Sequence, residues 1–508
     1  MTSAGTTSEH SDGIPRLFRR LLSGPQDWLG LFIVAQLIIW TAVPWAFAWS
    51  LPLDVVSDGV AWGHEWQWGY YKHPPLPSWL SELFFVALGN LGPFLLSQIA
   101  VAITYVFVFF LGRALMPVRW AAAGTLLLAG VYYFSVPTPE FNHNVAQMPL
   151  WAAASLFYYK AWKGGGWRWW LALGIAAGLG LIAKYSTGVL LAVMLAHFLR
   201  TRGVKSLVAG LGPLLAILAC GAVVAPHVVW LVRSNFPTLH YAIGRAGSET
   251  TLFGRIVVPA KFLLSQAIDI APAFVAAAIA GLLVYRPARA VRNEDFRFLL
   301  WLTLGPPLLT VSLAIAAGLG TRDMWGAPMW NLTGLLIAQA AFLCGAKPRW
   351  RRLAHSVVVL FVLGLAVWLL SNVFVPQIEG KPSRIEWPAR AMSQTFAAAF
   401  ARQVHQPLRI VAANGWIGGL VAMETRPRPS VFIDASFEKS PWITPQRLAR
   451  QGALVLWRVR DGNAPPAALA RLAGLHSLGV KSFVWPATPN APPLRIGYAF
   501  VPPRRQSR

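Results

Sequence analysis

Apolar runs of roughly 20 residues, almost free of charge, recur from Trp28 to Val375, and short polar segments separate them. A helix rises 1.5 Å per residue, so a run of that length spans the ~30 Å hydrocarbon layer of a bilayer. The pattern predicts about eleven such helices, counted by run length. They lie near Trp28–Trp49, Phe94–Leu115, Ala121–Val136, Val145–Trp162, Trp169–Ala183, Val189–Leu199, Leu207–Val232, Val257–Val284, Phe298–Leu319, Trp325–Cys344 and Leu353–Val375. Leu80–Leu91 is apolar but short, which suits a helix lying at the interface. After Pro376 the long runs stop. Short β-like runs follow at Leu408–Ala413, Ser430–Ile433, Ala453–Val459, Lys481–Trp485 and Arg495–Val501, with helical stretches at Trp387–Val404 and Pro465–Leu475. Short strands alternating with helices predict a small α/β domain.

Composition agrees with a membrane protein. Hydrophobic residues make up 56% of the chain and charged residues only 12%, against about 25% charged in soluble domains. The net charge of +25 would suit nucleic acid if it were spread over one face, but it is not. Arg16, Arg19 and Arg20 precede the first span, and the other cation clusters (Arg113 and Arg119, Lys160 to Arg168, Arg200 to Lys205, Arg286 to Arg297, Lys347 to Arg352) fall in alternate loops. That is the positive-inside pattern, so no nucleic-acid partner is expected and the N-terminus is placed in the cytoplasm. With an odd number of spans the C-terminus then lies outside. The expected fold is a polytopic α-helical membrane protein with a small C-terminal extracytoplasmic α/β domain. It divides into a cytoplasmic tail (1–27, its first 15 residues polar and expected to be disordered), a transmembrane domain (28–375) and the external domain (376–508). The first run is too long for a signal-peptide core and reads as a retained span. Cys220 and Cys344 form no disulfide framework.

The external loops, 50–77, 137–144 and 233–256, carry the candidate chemistry. The first holds Asp54, Asp58 and Glu65, then Lys72 among Tyr70, Tyr71, His73, Pro74, Pro75 and Trp79. A carboxylate at the membrane surface can take a proton from an attacking group, although exposed loop acids are also ordinary. A lysine on a proline-stiffened, aromatic segment can hold a lipid phosphate as a point charge; snorkelling to the interface is the alternative. In the second loop, Glu140 is left open, Asn142 suits sugar hydroxyls or a helix cap, and Asn144 is read as the cap of the following helix. Lys184 lies where one span turns into the next, a costly position for a charge unless it is used. The third loop, with His240, Tyr241, Arg245 and Glu249, lacks apolar periodicity and reads as a mobile cover. Arg322 beside Asp323 either pairs locally or faces a phosphate. The histidines show no metal-binding spacing, although His73 or His240 with an acid could assemble a site.

Taken in order, Lys72-His-Pro-Pro-Leu76 after an acidic first loop, Phe141-Asn-His-Asn144, Pro149-Leu-Trp151, Ala183-Lys-Tyr-Ser186, Pro226-His-Val-Val-Trp230 and Phe236-Pro-Thr-Leu-His240 resemble the glycosyltransferase C superfamily. The resemblance is to the bacterial branch related to protein O-mannosyltransferases and the lipid A aminoarabinose transferase, and it covers Trp28 to Cys344. It implies an inverting membrane glycosyltransferase of the bacterial inner membrane. Such an enzyme moves a monosaccharide from a polyprenyl-phosphate-linked donor to a lipid, glycan or protein acceptor on the external face, and the C-terminal domain is periplasmic. It implies Asp54 or Asp58 as the base; relatives often have adjacent acids here, so the choice stays open. It implies Lys72, Lys184, Arg245 and Arg322 on the donor phosphate, and Tyr71, His73, Glu140, Asn142 and His240 toward the substrates. No particular cofactor is implied and a divalent metal is possible, although Tyr71 stands where relatives commonly carry an acid that could serve one. A polysaccharide ligase or polymerase, or a lipid or solute transporter, is the alternative; a transporter would place its charges near the midplane and show internal repeats.

Overall fold

The computed structural model describes residues 24–208, 210–246, 251–283, 288–459, 464–472 and 476–504; the N-terminal tail lies outside them. The main helices are α1 (Pro25–Phe47), α2 (Leu76–Leu88), α3 (Leu91–Leu115), α4 (Val118–Leu126), α5 (His143–Trp162), α6 (Trp167–Ala183), α7 (Thr187–Val208) and α8 (Leu211–Arg233). They continue with α9 (Pro237–Ala246), α10 (Leu252–Ile279), α11 (Glu294–Ala317), α12 (Thr333–Leu343), α13 (Trp350–Leu369), α14 (Ala389–Val404) and α15 (Gly415–Glu424). Among the described residues, 7 helices are long and apolar enough to cross a membrane by length and composition: α1, α3, α7, α8, α10, α11, and α13 with its continuation to Glu379. The other four predicted runs are helical but shorter or more polar. Ala121–Val136 breaks after α4 into a 3₁₀ turn at Leu127–Gly130, where α10 crosses so closely that a side chain at Gly130 would meet the backbone of Ala273. Trp325–Cys344 becomes helical only from Thr333. α4 and α12 cross with their backbones in contact at Gly124 and Gly334, as small residues allow in membrane bundles. The 13 residues of α2 are too few to span ~30 Å.

The segment read as a first external loop is ordered and largely buried. After α1 the chain forms a π-helical turn at Val55–Val60 and a helical turn at Ala61–Gly63; Val55, Val56, Val60 and Trp62 are buried. π-Turns inside helical segments are often found at functional sites.

The C-terminal segment forms a five-stranded sheet in the order β2-β1-β3-β5-β4. The strands are β1 (Ile410–Ala413), β2 (Ser430–Ile433), β3 (Ala453–Arg458), β4 (His476–Phe483) and β5 (Leu494–Val501). β1 runs parallel to β2 and β3, whereas β5 is antiparallel to both β3 and β4. α15 connects β1 to β2 and lies against the π-turn, with Gly419 on Val56 and Gly415 on Ser57. Apolar contact continues from Trp62 and Tyr70 to Ala422, Val431 and Ile433. One buried ion pair fixes this junction. Arg428 Nη2 is 2.5 Å from Glu82 Oε2 on α2 and donates to the Val60 carbonyl at 2.9 Å. Truncating Arg428 strands a buried carboxylate, so Arg428→Ala is expected to destabilise the protein by about 3 kcal/mol or more. Denaturant unfolding in micelles checks this, and a loss below ~1 kcal/mol, the range of exposed pairs, would mean that Glu82 finds water or His64 instead.

Candidate active site

Lys72 is held by the turn that carries it. The Tyr70 N–H donates to the His73 carbonyl at 3.0 Å, the Tyr70 hydroxyl donates to the Trp62 carbonyl at 2.8 Å, and the two rings stack at 4.9 Å. Pro74 and Pro75 then lead into α2. Lys72 Nζ lies 3.1 and 3.2 Å from the two oxygens of Asp58, which projects from the π-turn, and 5.5 and 5.6 Å from the rings of Tyr71 and Trp62. Burial alone would lower the ammonium pKa, but Asp58, Tyr71 and the hydrogen bonds raise it, so Lys72 is a fixed cation. Burial pushes Tyr71 up to about 12, and it stays a neutral phenol.

Asp54 stands one turn before Asp58. Its N–H donates to Glu140 Oε1 at 2.8 Å, which joins the first and second external segments. Burial, then the charges of Glu140 and Asp58, raise its pKa to about 7 against the opposing pull of Lys72 and Arg384. Glu140 is itself raised by burial. Lys184 caps α6, and its ammonium donates to Asn144 Oδ1 at 2.5 Å; burial lowers its pKa to about 8, with Asp54 opposing. His73 lies on His143 with ring centroids 4.0 Å apart, and burial with His143, Lys184 and Lys72 keeps it neutral.

Most of these groups line a single cavity of about 490 Å³. Of the residues read from sequence, Asp54, Asp58, Lys72, His73, Asn142, Lys184 and Arg322 face it. Tyr71 backs Lys72, and Glu140 lies behind Asp54, neither of them on the wall. His240 is exposed and off the wall; it lies on α9, not in a mobile loop, and the next residue, about 100° further round the helix, presents Tyr241 to the cavity instead. Arg245 lies on α9 too, but its side chain is outside the described residues. Glu65 is off the wall and turns toward the sheet, where His64, Arg447 and Arg428 counter its charge. The asparagines exchange their expected parts: Asn142 caps α5, its Oδ1 accepting from the N–H groups of Asn144 and Val145, and Asn144 is the partner of Lys184. Either asparagine satisfied the capping rule, so sequence carried no signal to separate them. Tyr241, His143 and Arg384 also escaped selection as site residues.

Among the described residues, no three His, Cys, Asp or Glu side chains converge as metal ligands. The walls carry three cations and two carboxylates beside aromatic and amide groups, a setting that can hold a phosphate near a general base.

Comparison with known proteins bears on that chemistry. Residues 72–230, which carry Lys72, Asn142, His143 and Lys184, match the family described as dolichyl-phosphate-mannose-protein mannosyltransferase. The fold matches the crystal structure of ArnT from Cupriavidus metallidurans bound to undecaprenyl phosphate, with a TM-score of 0.62 and 16% identity over 93% of this chain and 98% of that one. Two lipopolysaccharide core galacturonosyltransferases of Rhizobium johnstonii are also similar along their length. RgtB is 23% identical over 86% of this chain and 88% of its own, and RgtA is 24% identical over 93% and 97%. These likenesses support a membrane glycosyltransferase that shares the fold of ArnT and resembles the C superfamily. In this glycosyltransferase the cavity is thus bounded by three of the segments that carried the resemblance, the Lys72 turn, the Asn142–Asn144 helix start and Lys184-Tyr-Ser186.

Proposed function

We propose that this glycosyltransferase moves a monosaccharide from a polyprenyl-phosphate-linked donor to a cell-envelope glycan on the external face of the bacterial inner membrane, with inversion at the sugar. The reading rests on one observation above all: Asp54, Lys72, Lys184 and Arg322 share a cavity wall. The donor phosphate sits among the three cations, which neutralise the charge that grows on it as the glycosidic bond breaks. The acceptor hydroxyl attacks C1 from the opposite side, and Asp54 takes its proton. Asp58, engaged by Lys72, orients that ammonium and is less suited to be the base. Eleven crossings, with the N-terminus cytoplasmic and residues 376–508 as an external domain over the cavity, are the arrangement that goes with this reading. ArnT crystallised with undecaprenyl phosphate, and the two Rhizobium relatives carry names that specify lipopolysaccharide core; both lend it support.

The test is turnover by purified protein in nanodiscs with a panel of undecaprenyl-phosphate sugars, the released lipid phosphate followed by mass spectrometry. Sugar-specific release that depends on an added envelope glycan is the expected result. No release with any donor and acceptor would sink the proposal and favour transport.

The titration of the site sets a narrow pH optimum. Asp54 acts ionised, so kcat/KM rises with pH through about 7; Lys184 acts protonated, so the rate falls again above about 8. Lys184→Arg should abolish the alkaline fall while leaving the acid limb in place. A wild-type profile flat from pH 6 to pH 9 would remove Asp54 from the base role.

A further inference from the structure

A second cavity, of about 660 Å³, lies between the first external segment and the C-terminal sheet. Leu53, beside the base Asp54, lines both cavities. Arg384 lies on the wall of the second, and its charge acts on Asp54 and Glu140. The sheet contributes the carboxyl ends of its parallel strands: Asn414 follows β1, Asp434 follows β2, and Arg458 ends β3. β1 leads through α15 to β2 on one side, and β3 lies on the other. Ligands of open α/β sheets bind in this crevice, outside the carboxyl ends of strands whose connections leave in opposite directions.

The walls fit a sugar. Trp387 meets Trp416 and Trp485 edge-on at 5.5 and 5.6 Å, a group of three indoles on the lining. Arg458 lies over the Trp387 ring at 5.7 Å. Asp434 holds φ at +52°, a left-handed conformation that non-glycine residues keep mainly where the surroundings impose it, as at ligand sites. Flat apolar rings beside fixed polar groups match the two faces of a pyranose, its C–H face and its hydroxyl rim. Arg384 and Arg458 give the wall a positive excess that suits an anionic substituent, since the one carboxylate there, Asp434, is paired with Lys439.

We propose that this cavity binds an anionic sugar unit of the acceptor glycan and presents the neighbouring hydroxyl past Leu53 to Asp54. The assignment rests on the transferase reading above. Its test is direct binding of deacylated lipopolysaccharide core oligosaccharide to the full-length protein in nanodiscs, with undecaprenyl phosphate binding measured in parallel. Arg458→Ala and Trp416→Phe should each raise the oligosaccharide dissociation constant and the acceptor KM, the arginine variant tenfold or more, and leave undecaprenyl phosphate affinity unchanged. A neutral glucan should bind at least tenfold more weakly than the core. Unchanged oligosaccharide affinity in both variants, or equal binding of the neutral glucan, overturns the assignment. Variant-sensitive binding without turnover of any donor would uphold the sugar site and count against the transferase reading alone.

Discussion

Asp54→Asn is expected to lower kcat by about 10²–10⁴-fold, the usual contribution of a positioned general base, with little change in donor KM. Asparagine keeps the shape and one acceptor oxygen but cannot accept the proton. The backbone N–H that reaches Glu140 is untouched by the change, so the turn should stay in place. Asp58 cannot substitute, because both of its oxygens face the Lys72 ammonium. Glu140 lies behind Asp54 and off the cavity wall, so it has no direct line to an acceptor. Steady-state rates with saturating donor measure the effect. The opposite pattern, with Asp58→Asn inactive and Asp54→Asn within threefold of wild type, would move the base to Asp58.

Much of this arrangement could be read from the chain before its fold was known, and the parts that could not have physical causes. The acids Asp54 and Asp58 and the Lys72 turn were legible because charge, proline and aromatic residues cluster there beside an apolar run. Their shared cavity with Lys184 and Arg322 was not, since it depends on contacts between helices far apart in sequence. Apolar runs mark burial but not helix continuity: Ala121–Val136 reads as one span, yet the crossing of α10 at Gly130 breaks it. The strand Ser430–Ile433 was placed to the residue by its β-branched and aromatic side chains. β4, read as Lys481–Trp485, instead begins at His476, because an edge strand with polar residues and an irregular register near Gly479 lacks an apolar run to mark it. Strand order was beyond reach for the same reason as the cavity. His240 and Tyr241 show the finest limit: once that segment is helical, a shift of one residue decides which side chain meets the substrate.

Lys72→Ala should reduce kcat/KM by about 10³-fold, near the upper range for losing one group that stabilises developing charge, and it should act on both kcat and donor KM. Two effects combine. The cation that meets the leaving phosphate disappears, and Asp58 is left as an uncompensated carboxylate on the same wall, where it repels that phosphate. Lys72→Arg should retain more activity than alanine, although its planar guanidinium will not match the point charge held between Tyr71, Trp62 and Asp58. The two effects separate in the double variant Lys72→Ala/Asp58→Asn. Removing the stranded charge should recover about tenfold of the loss, a coupling near 1.4 kcal/mol. Recovery of that size makes Asp58 the residue that holds Lys72 toward the donor. No recovery would mean that Asp58 does not act on the donor phosphate in the single variant, and the loss would then belong to the missing cation alone.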